Sequence, residues 1–237
     1  MLFLVSVVEK YDYLRLRLRG YSAIGRPYET ISVPPEDVEY MISKSKFGGD
    51  IPRFDIVGGD WDKRAYLFEQ NAVFEMFKQH FIDDVSWKHT ETYQKRVEQL
   101  NRGESVPELD TATQSVEVYE SYLSHWDSVY EEIKTNGYRS QRELRALNDF
   151  AHRVPTALGE IEVMIGREGQ LICNSGKHRL TTAKLLELDS VPVRVTVRHE
   201  SWQELRERVA KKESGACIAD EAHIDPSHPD LVAVQNK

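Results

Sequence analysis

Four consecutive residues, Gly176-Lys177-His178-Arg179, have the types and the order needed to bind an anionic group. We expect the glycine to lie where the chain leaves a strand and the next residues to open a helix. The first N–H groups of a helix have no intrahelical acceptor, and together with the helix dipole they attract anions. The lysine adds a point charge, the histidine a donor and the arginine a planar fork suited to phosphate oxygens. Ser175 or Asn174 can cap this helix, and an ordinary capped helix with solvated charges is the alternative interpretation.

A second candidate is the glycine-rich segment after Pro52, which carries the residue types that phosphoryl transfer uses: Arg53, Asp55, Asp60, Trp61 and Asp62. Such a loop can supply a base, a Mg²⁺ ligand and a substrate platform. We predict Asp55 and Asp60 as catalytic residues. Asp60 and Asp62 are the predicted metal ligands, and the arginine and tryptophan are predicted to line the site. Alternatively, Asp60 and Asp62 cap a helix that begins near Lys63, and Trp61 packs on the core.

Two other segments admit both a functional and a structural interpretation. The run Ser86–Glu91 fits a helix cap followed by core packing better than a site. Arg198 and His199 directly follow a predicted strand, so they either line the mouth of a site or face water.

The first sixty residues are expected to form strands, a short helix and a loop. Tyr13–Arg19 alternates with period two, which is typical of a half-buried strand, although a helix over Glu9–Arg19 is the alternative. Tyr28–Val33 is a predicted strand, and Glu36–Ser43 begins with acidic residues suited to the start of a helix. The glycines and proline within Phe47–Asp62 predict a loop.

The middle of the chain has the periodicity of amphipathic helices. Apolar residues recur every three or four positions over Lys63–Leu100, which predicts two helices, and again over Val116–Thr135, which predicts a third. Gly137 is placed to end the third helix. The polar run Asn101–Thr113 is a predicted exposed connection.

The C-terminal part alternates strands and helices. The predicted elements are, in order, a hairpin of Ile161–Ile165 and Gln170–Cys173, a helix over Leu180–Leu188, a strand over Val191–Val197 and a helix over Trp202–Lys212. From Glu213 onward the chain is acidic and lacks periodicity, which predicts disorder.

Composition limits the classes of protein that the chain can belong to. With 237 residues and 40% apolar residues, it can build a sizeable core without disulfides, and Cys173 and Cys217 match neither a disulfide framework nor a zinc site. No stretch approaches the length of apolar residues that a membrane span needs, so we expect a cytoplasmic protein with no membrane partner. The net charge of −8 disfavours nucleic acid as the main partner. Residues 137–212 nevertheless carry a local excess of +4, which places the expected anion site there.

The stretch from the hairpin to the last predicted strand resembles the ParB/sulfiredoxin superfamily, in which a hairpin leads to a Gly-x-x-Arg turn, a helix and a short Val/Pro-rich strand. Gly176–Arg179 matches the Gly-x-His-Arg form of sulfiredoxins and of ParB-like free serine kinases. Val129–Gly137 is similar to the family helix that precedes the hairpin, and Glu29–Glu39 to its opening strand and acidic turn. The resemblance implies an α+β fold, with a mixed sheet, helices packed on it and an inserted helical subdomain.

The resemblance also implies a division of the chain. Residues 1–44 would form the N-terminal strands and the start of the ParB-like domain, and residues 45–115 the helical insertion. Residues 116–212 would then form the core with the phosphate-binding turn, followed by a disordered acidic tail at 213–237.

The functional implication is that nucleotide phosphates contact the turn, through Ser175, Gly176, Lys177, His178 and Arg179. ATP or ADP, with CTP as a further candidate, and Mg²⁺ would then serve a phosphotransferase or phosphohydrolase acting on a small-molecule or protein acceptor. In the free serine kinases a Glu just after the opening strand is the base, which makes Glu36 a third catalytic candidate. Lys177 stands where sulfiredoxins have a catalytic Cys, so sulfinic-acid chemistry is not expected.

Two other functions remain open. A DNA-binding or nuclease-like ParB relative would need a continuous basic groove, and the acidic total charge counts against it. A non-catalytic interaction module would keep the fold and use its aromatic helices as the interface.

Overall fold

The computed structural model describes residues 2–27, 29–109, 112–141, 143–144, 159–211 and 224–235. The chain divides into two compact units: a sheet unit of residues 1–68, 140–176 and 188–237, and a helical unit of residues 69–139 and 177–187. Helices and a mixed sheet occur together, which confirms the α+β class. None of the helices in the described ranges combines the length and the apolar composition needed to cross a membrane.

The described part of the sheet unit contains seven strands: β1 (Thr30–Val33), β2 (Tyr40–Met41), β3 (Asp55–Val57), β4 (Tyr66–Leu67), β5 (Ile161–Ile165), β6 (Leu171–Ser175) and β7 (Val191–His199). Their order is β1-β7-β5-β6-β2-β4, and β3 also pairs with β7. β7 runs parallel to β5 and β3 and antiparallel to β1. β5 and β6 form the predicted hairpin, and β2 runs parallel to β6.

The helices in the described ranges are α1 (Leu2–Leu18), α2 (Lys44–Phe47), α3 (Ala72–Phe81), α4 (Glu91–Asn101), α5 (Val116–Asn136), α6 (Lys177–Leu185), α7 (Glu200–Ala210) and α8 (Pro229–Gln235). Of these, α3 to α6 lie in the helical unit. The periodicity predicted α5, α6 and α7 correctly to within a few residues, and the two helices expected within Lys63–Leu100 are α3 and α4. Helix α3 begins only at Ala72, because the chain before it forms β4 between two 3₁₀ turns, Asp62–Arg64 and Phe68–Gln70.

Strand β7 is buried on both faces, which explains its composition. Val191, Val193 and Val197 are fully buried, and the interleaved Arg194 and Arg198 are also buried. A strand with sheet partners on both edges and layers on both faces needs apolar residues at nearly every position, and its buried arginines need carboxylate partners. The predicted strand is confirmed and continues to His199.

The N-terminal segment is a helix, so the prediction of a strand at Tyr13–Arg19 is wrong and its helical alternative is confirmed. Arg15 and Arg19 are one turn apart, and both bind Asp55. Leu16 is buried in a cluster with Ile24, Phe54 and Ile56. These contacts require helical spacing, whereas an alternating Leu/Arg sequence by itself fits either structure.

Two predictions in the first sixty residues need correction. After β1 the chain forms one 3₁₀ turn, Pro35–Asp37, and then enters strand β2, so no helix extends to Ser43. The segment predicted as a loop contains β3, which extends the sheet by pairing Asp55 with Val197. A three-residue strand between glycines and a proline has too little length to show a period.

The C-terminal tail also differs from its prediction. Residues 212–223 lie outside the described residues, but α8 is a folded helix in which Asp230 and Leu231 are buried. The prediction of disorder is therefore wrong for residues 224–235. Helix α8 contacts α7 and β1, which are distant in sequence.

The helical unit has its own core. Its buried cluster comprises Val73, Met76, Phe77, Trp87, Tyr93, Tyr119 and Leu123. Most of these are the aromatic and aliphatic residues that give α3, α4 and α5 their helical periodicity, so the stripe on α5 is core as expected. The unit begins at residue 69 and includes α5 and α6, so its limits differ from the predicted insertion at 45–115.

Candidate functional site

The turn before α6 has the local structure that its sequence predicted. β6 ends at Ser175, Gly176 has a φ of +80°, and α6 begins at Lys177. A Cβ at Gly176 would lie 2.8 Å from Cα of Ile161, which leaves no room for a side chain. The glycine therefore supplies both the left-handed backbone and the close approach to β5. The N–H groups of the first turn of α6 have no acceptor within the helix.

His178 belongs to an aromatic cluster of the helical unit. Its Nε2 shares a hydrogen bond with the hydroxyl of Tyr122, and its ring stacks on Trp126 at 4.8 Å between centroids. Burial, followed by the charges of Lys177 and Arg179, lowers the pKa of His178 to about 3, so the ring is neutral at pH 7. Its Nε2 is thus already used, and a phosphate contact by His178 stays a prediction.

Arg179 has a buried nitrogen without a partner. Its Nη1 is shielded from solvent and makes no hydrogen bond with the described residues. A guanidinium keeps its charge at any physiological pH, so an unmatched buried N–H is costly unless an acceptor is supplied. Oxygens of an anion would satisfy it. Lys177, two residues earlier, is partly exposed and adds a second positive charge to the same turn.

Asp55 is held by two arginines of the N-terminal helix. Its carboxylate accepts a hydrogen bond of 2.9 Å from Arg15 and one of 2.7 Å from Arg19. It also accepts from the backbone N–H of Ile56. These bonds fasten α1 to β3. Asp55 was predicted as catalytic, and in this structure its oxygens are engaged in an ion pair of the sheet unit.

Asp60 and Asp62 both bind Arg167, from the turn between β5 and β6. The guanidinium donates bonds of 2.7 Å to Asp60 and 2.8 Å to each oxygen of Asp62. Burial alone would raise the pKa of Asp62, but bonds from the Arg167 side chain and backbone outweigh it and lower that pKa. Bonds from Arg167 and Lys63 lower the pKa of Asp60. The described residues contain no group of three or more His, Cys, Asp or Glu side chains placed to hold a metal ion.

The remaining residues of this loop divide between core and surface. Trp61 is 2% exposed, donates its Nε1–H to the carbonyl of Val57 and packs in a core cluster, which corrects its prediction as a site-lining residue. Arg53 is exposed. Glu36 is exposed in the 3₁₀ turn after β1, which is the position that the resemblance assigned to it.

Ser86–Glu91 also proves structural. Trp87 is buried, and Thr90 caps α4 by accepting from the N–H of Tyr93. The cap-and-core interpretation of this segment is confirmed.

Arg198 neither lines a site mouth nor faces water. It is buried and donates from Nε and Nη2 to the carboxylate of Asp230 on α8, at 3.0 and 2.7 Å. Arg206 and Nε1 of Trp202, both from α7, bind the same carboxylate at 2.6 and 2.9 Å. Although burial would raise the pKa of Asp230, the two arginines hold it far below its usual range.

His199 is a capping residue. Its Nδ1 accepts from the N–H of Ser201 at the start of α7, so the proton is on Nε2, which donates to the carbonyl of Gly59 at 2.8 Å. The ring thus joins α7 to the loop after β3, and both of the predicted roles for His199 are replaced by this one.

Sequence reasoning missed Arg167 and Asp230, each of which is the centre of a cluster of charged contacts in the sheet unit. Arg167 was treated only as part of a hairpin turn, and Asp230 as part of a disordered tail. The usable signal was the surplus of arginines around β7 and α7, because buried arginines in a sheet require acidic partners elsewhere in the chain.

Comparison of the chain with protein-family models, curated proteins and solved structures returned no match. The geometry of the described residues is therefore the basis for a functional proposal.

Proposed function

We propose that this chain binds a nucleotide through its phosphates at the first turn of α6, and that it acts as a nucleotide-dependent phosphotransferase or phosphohydrolase with Mg²⁺. ATP and ADP are the first candidates, with CTP next. The observation that carries the proposal is the buried Nη1 of Arg179, which has no partner among the described residues and lies on the same turn as helical N–H groups without an intrahelical acceptor.

The charges of this turn favour an anion over other ligands. Lys177 and Arg179 are both positive, and α6 has no acidic residue in its first turn. The helix dipole adds a partial positive charge at the same end. The neutral ring of His178, bonded to Tyr122, would hold the first turn of the helix in place rather than contribute charge.

The resemblance to the ParB/sulfiredoxin superfamily supports a nucleotide as the anion. In that superfamily the Gly-x-His-Arg turn contacts nucleotide phosphates, and Gly176–Arg179 has this form. Glu36, Asp55 and Asp60 remain the candidates for the catalytic carboxylate, although Asp55 and Asp60 form ion pairs with arginines. We propose a cytoplasmic location, because two cysteines without the spacing of a disulfide framework fit a reducing compartment.

A thermal-shift assay with ATP, ADP, CTP and GTP, each with Mg²⁺, tests the proposal. A ligand that binds the folded state alone raises Tm by mass action, and a rise of several degrees is expected at saturating nucleotide. Arg179→Ala should abolish the rise. Arg102→Ala is the matched control, because Arg102 is an exposed arginine of the helical unit that pairs only with Glu104 among the described side chains.

Other outcomes would favour other functions. A rise with duplex DNA but with no nucleotide, fading as salt increases, would replace the proposal with DNA binding. No response to either ligand would contradict nucleotide binding and favour an interaction module.

A further inference from the structure

Helix α1 exposes a stripe of large apolar side chains. Tyr11, Leu14 and Leu18 are 66%, 59% and 82% exposed, and they follow one another at intervals of three and four residues. Residues with this spacing share one face of a helix. The opposite face is fixed on the sheet unit, because Leu16 is buried against Ile24 and Phe54. The stripe therefore lies on the face of α1 that points away from the rest of the sheet unit.

The sequence before the stripe is still more apolar. Leu2-Phe3-Leu4-Val5-Ser6-Val7-Val8 contains six apolar residues and no charge, and it belongs to the same helix. A single neighbouring helix would cover one side of such a segment. A segment with apolar residues at nearly every position instead suits an environment that surrounds it.

The basic residues on the two sides of the stripe differ in their partners. Helical spacing places Arg15 and Arg19 along one side, where both pair with Asp55, and Arg15 also lies 3.9 Å from Asp12. The same spacing places Lys10 and Arg17 along the other side, and neither of them has a carboxylate partner among the described side chains. An anionic surface complements them.

We propose that α1 is a peripheral membrane anchor, which lies in the interface of a bilayer with anionic headgroups. The apolar stripe would enter the boundary between headgroups and acyl chains, while Lys10 and Arg17 contact lipid phosphates. This inference is independent of the proposed nucleotide site. It differs from the expectation of a protein with no membrane partner, which was based on the absence of an apolar stretch long enough to span a membrane.

Vesicle flotation of the full chain tests the anchor. The protein should float with an equimolar mixture of phosphatidylcholine and phosphatidylglycerol, remain in solution with phosphatidylcholine alone, and be released by high salt. Leu14→Glu and Leu18→Glu should each weaken binding at least about tenfold, because they place a charge in the stripe. Leu67→Glu, at an exposed leucine of β4, is the matched control and should bind as the wild type does.

A second pair of substitutions separates the charge from the stripe. Lys10→Glu combined with Arg17→Glu keeps every apolar residue and should abolish binding to the anionic vesicles. The membrane anchor is contradicted if the wild-type protein does not bind the anionic vesicles, or if Leu14→Glu and Leu18→Glu float with them as well as the wild type does. It is also contradicted if sedimentation without lipid shows a dimer that Leu18→Glu dissociates, since the stripe would then be a self-association surface.

Discussion

In the sheet unit, arginines form ion pairs with aspartates from distant parts of the chain. The pairs are Arg15 and Arg19 with Asp55, Arg167 with Asp60 and Asp62, and Arg198 and Arg206 with Asp230. In the helical unit, the first turn of α6 differs. His178 is half-buried and neutral, and Nη1 of Arg179 is buried without a partner in the described part of the chain.

The difference shows that residue types alone do not identify a site. Charged side chains and glycine occur both in the loop after β3 and in the α6 turn. Asp60 and Asp62 of the loop accept hydrogen bonds from Arg167, whereas Nη1 of Arg179 is a buried donor with no acceptor among the described residues, which an external acceptor could satisfy. Incomplete hydrogen bonding thus separates the two regions more clearly than composition does.

The largest expected effect comes from leaving the arginines of the sheet unit unpaired. Asp230→Ala should lower the free energy of unfolding by about 3–5 kcal/mol, because it leaves two buried guanidinium groups without their carboxylate. Urea unfolding measures this loss. Asp225→Ala, at an exposed aspartate close by, should change stability little. Equal effects of the two substitutions would mean that the Asp230 cluster does not hold α8 in place.

The pKa of His178, in the helical unit, predicts how the stability of the protein depends on pH. The folded pKa of His178 is about 3, below the unfolded value, so the unfolded state binds more protons between pH 3 and 6.5. Stability should therefore fall as pH decreases through this window. The loss from this group is about 3 kcal/mol between pH 7 and pH 4.

His178→Gln is the test of that assignment, because glutamine cannot titrate. The difference in unfolding free energy between wild type and variant should narrow as pH falls from 7 to 4. A difference that is constant with pH would show that His178 is not buried as a neutral ring.

A smaller effect is expected at the glycine where the chain leaves β6. Gly176→Ala should destabilise the protein by about 2 kcal/mol or more, since alanine disfavours positive φ and its Cβ would meet Ile161. Gly59→Ala is the matched control, with a φ of +86° and no atom within 4 Å of the added Cβ. Gly59→Ala should lower the free energy of unfolding only by the cost of the backbone strain. If both variants lose the same stability in urea, the close approach to β5 is unimportant.

The elements that could be predicted from the sequence are those in which apolar residues recur with a regular period over many positions. The hairpin of β5 and β6, strand β7 and helices α3 to α7 all show such a period and were predicted, although α3 begins nine residues later than expected. Helix α1 was ambiguous because an alternating Leu/Arg run has few residues that distinguish period two from period 3.6. The ion pairs of Arg15 and Arg19 with Asp55 fit the helix, and Asp55 lies 36 residues or more from these arginines in the sequence.

The candidate site was predictable only in its local part. The positive φ at Gly176 and the start of α6 follow from neighbouring residues. The bond between His178 and Tyr122, and the pairing of Arg167 with Asp62, join residues 56 and 105 positions apart. Such contacts are set by tertiary packing, which no local pattern encodes.

Isothermal titration of the protein with ATP and Mg²⁺ tests the central claim most directly, with Arg102→Ala as control for Arg179→Ala. We predict saturable binding to wild type and to Arg102→Ala, and at least about tenfold weaker binding to Arg179→Ala, because a charge-assisted hydrogen bond to phosphate is lost. Equal affinity of Arg179→Ala and wild type would contradict the placement of phosphate at the α6 turn.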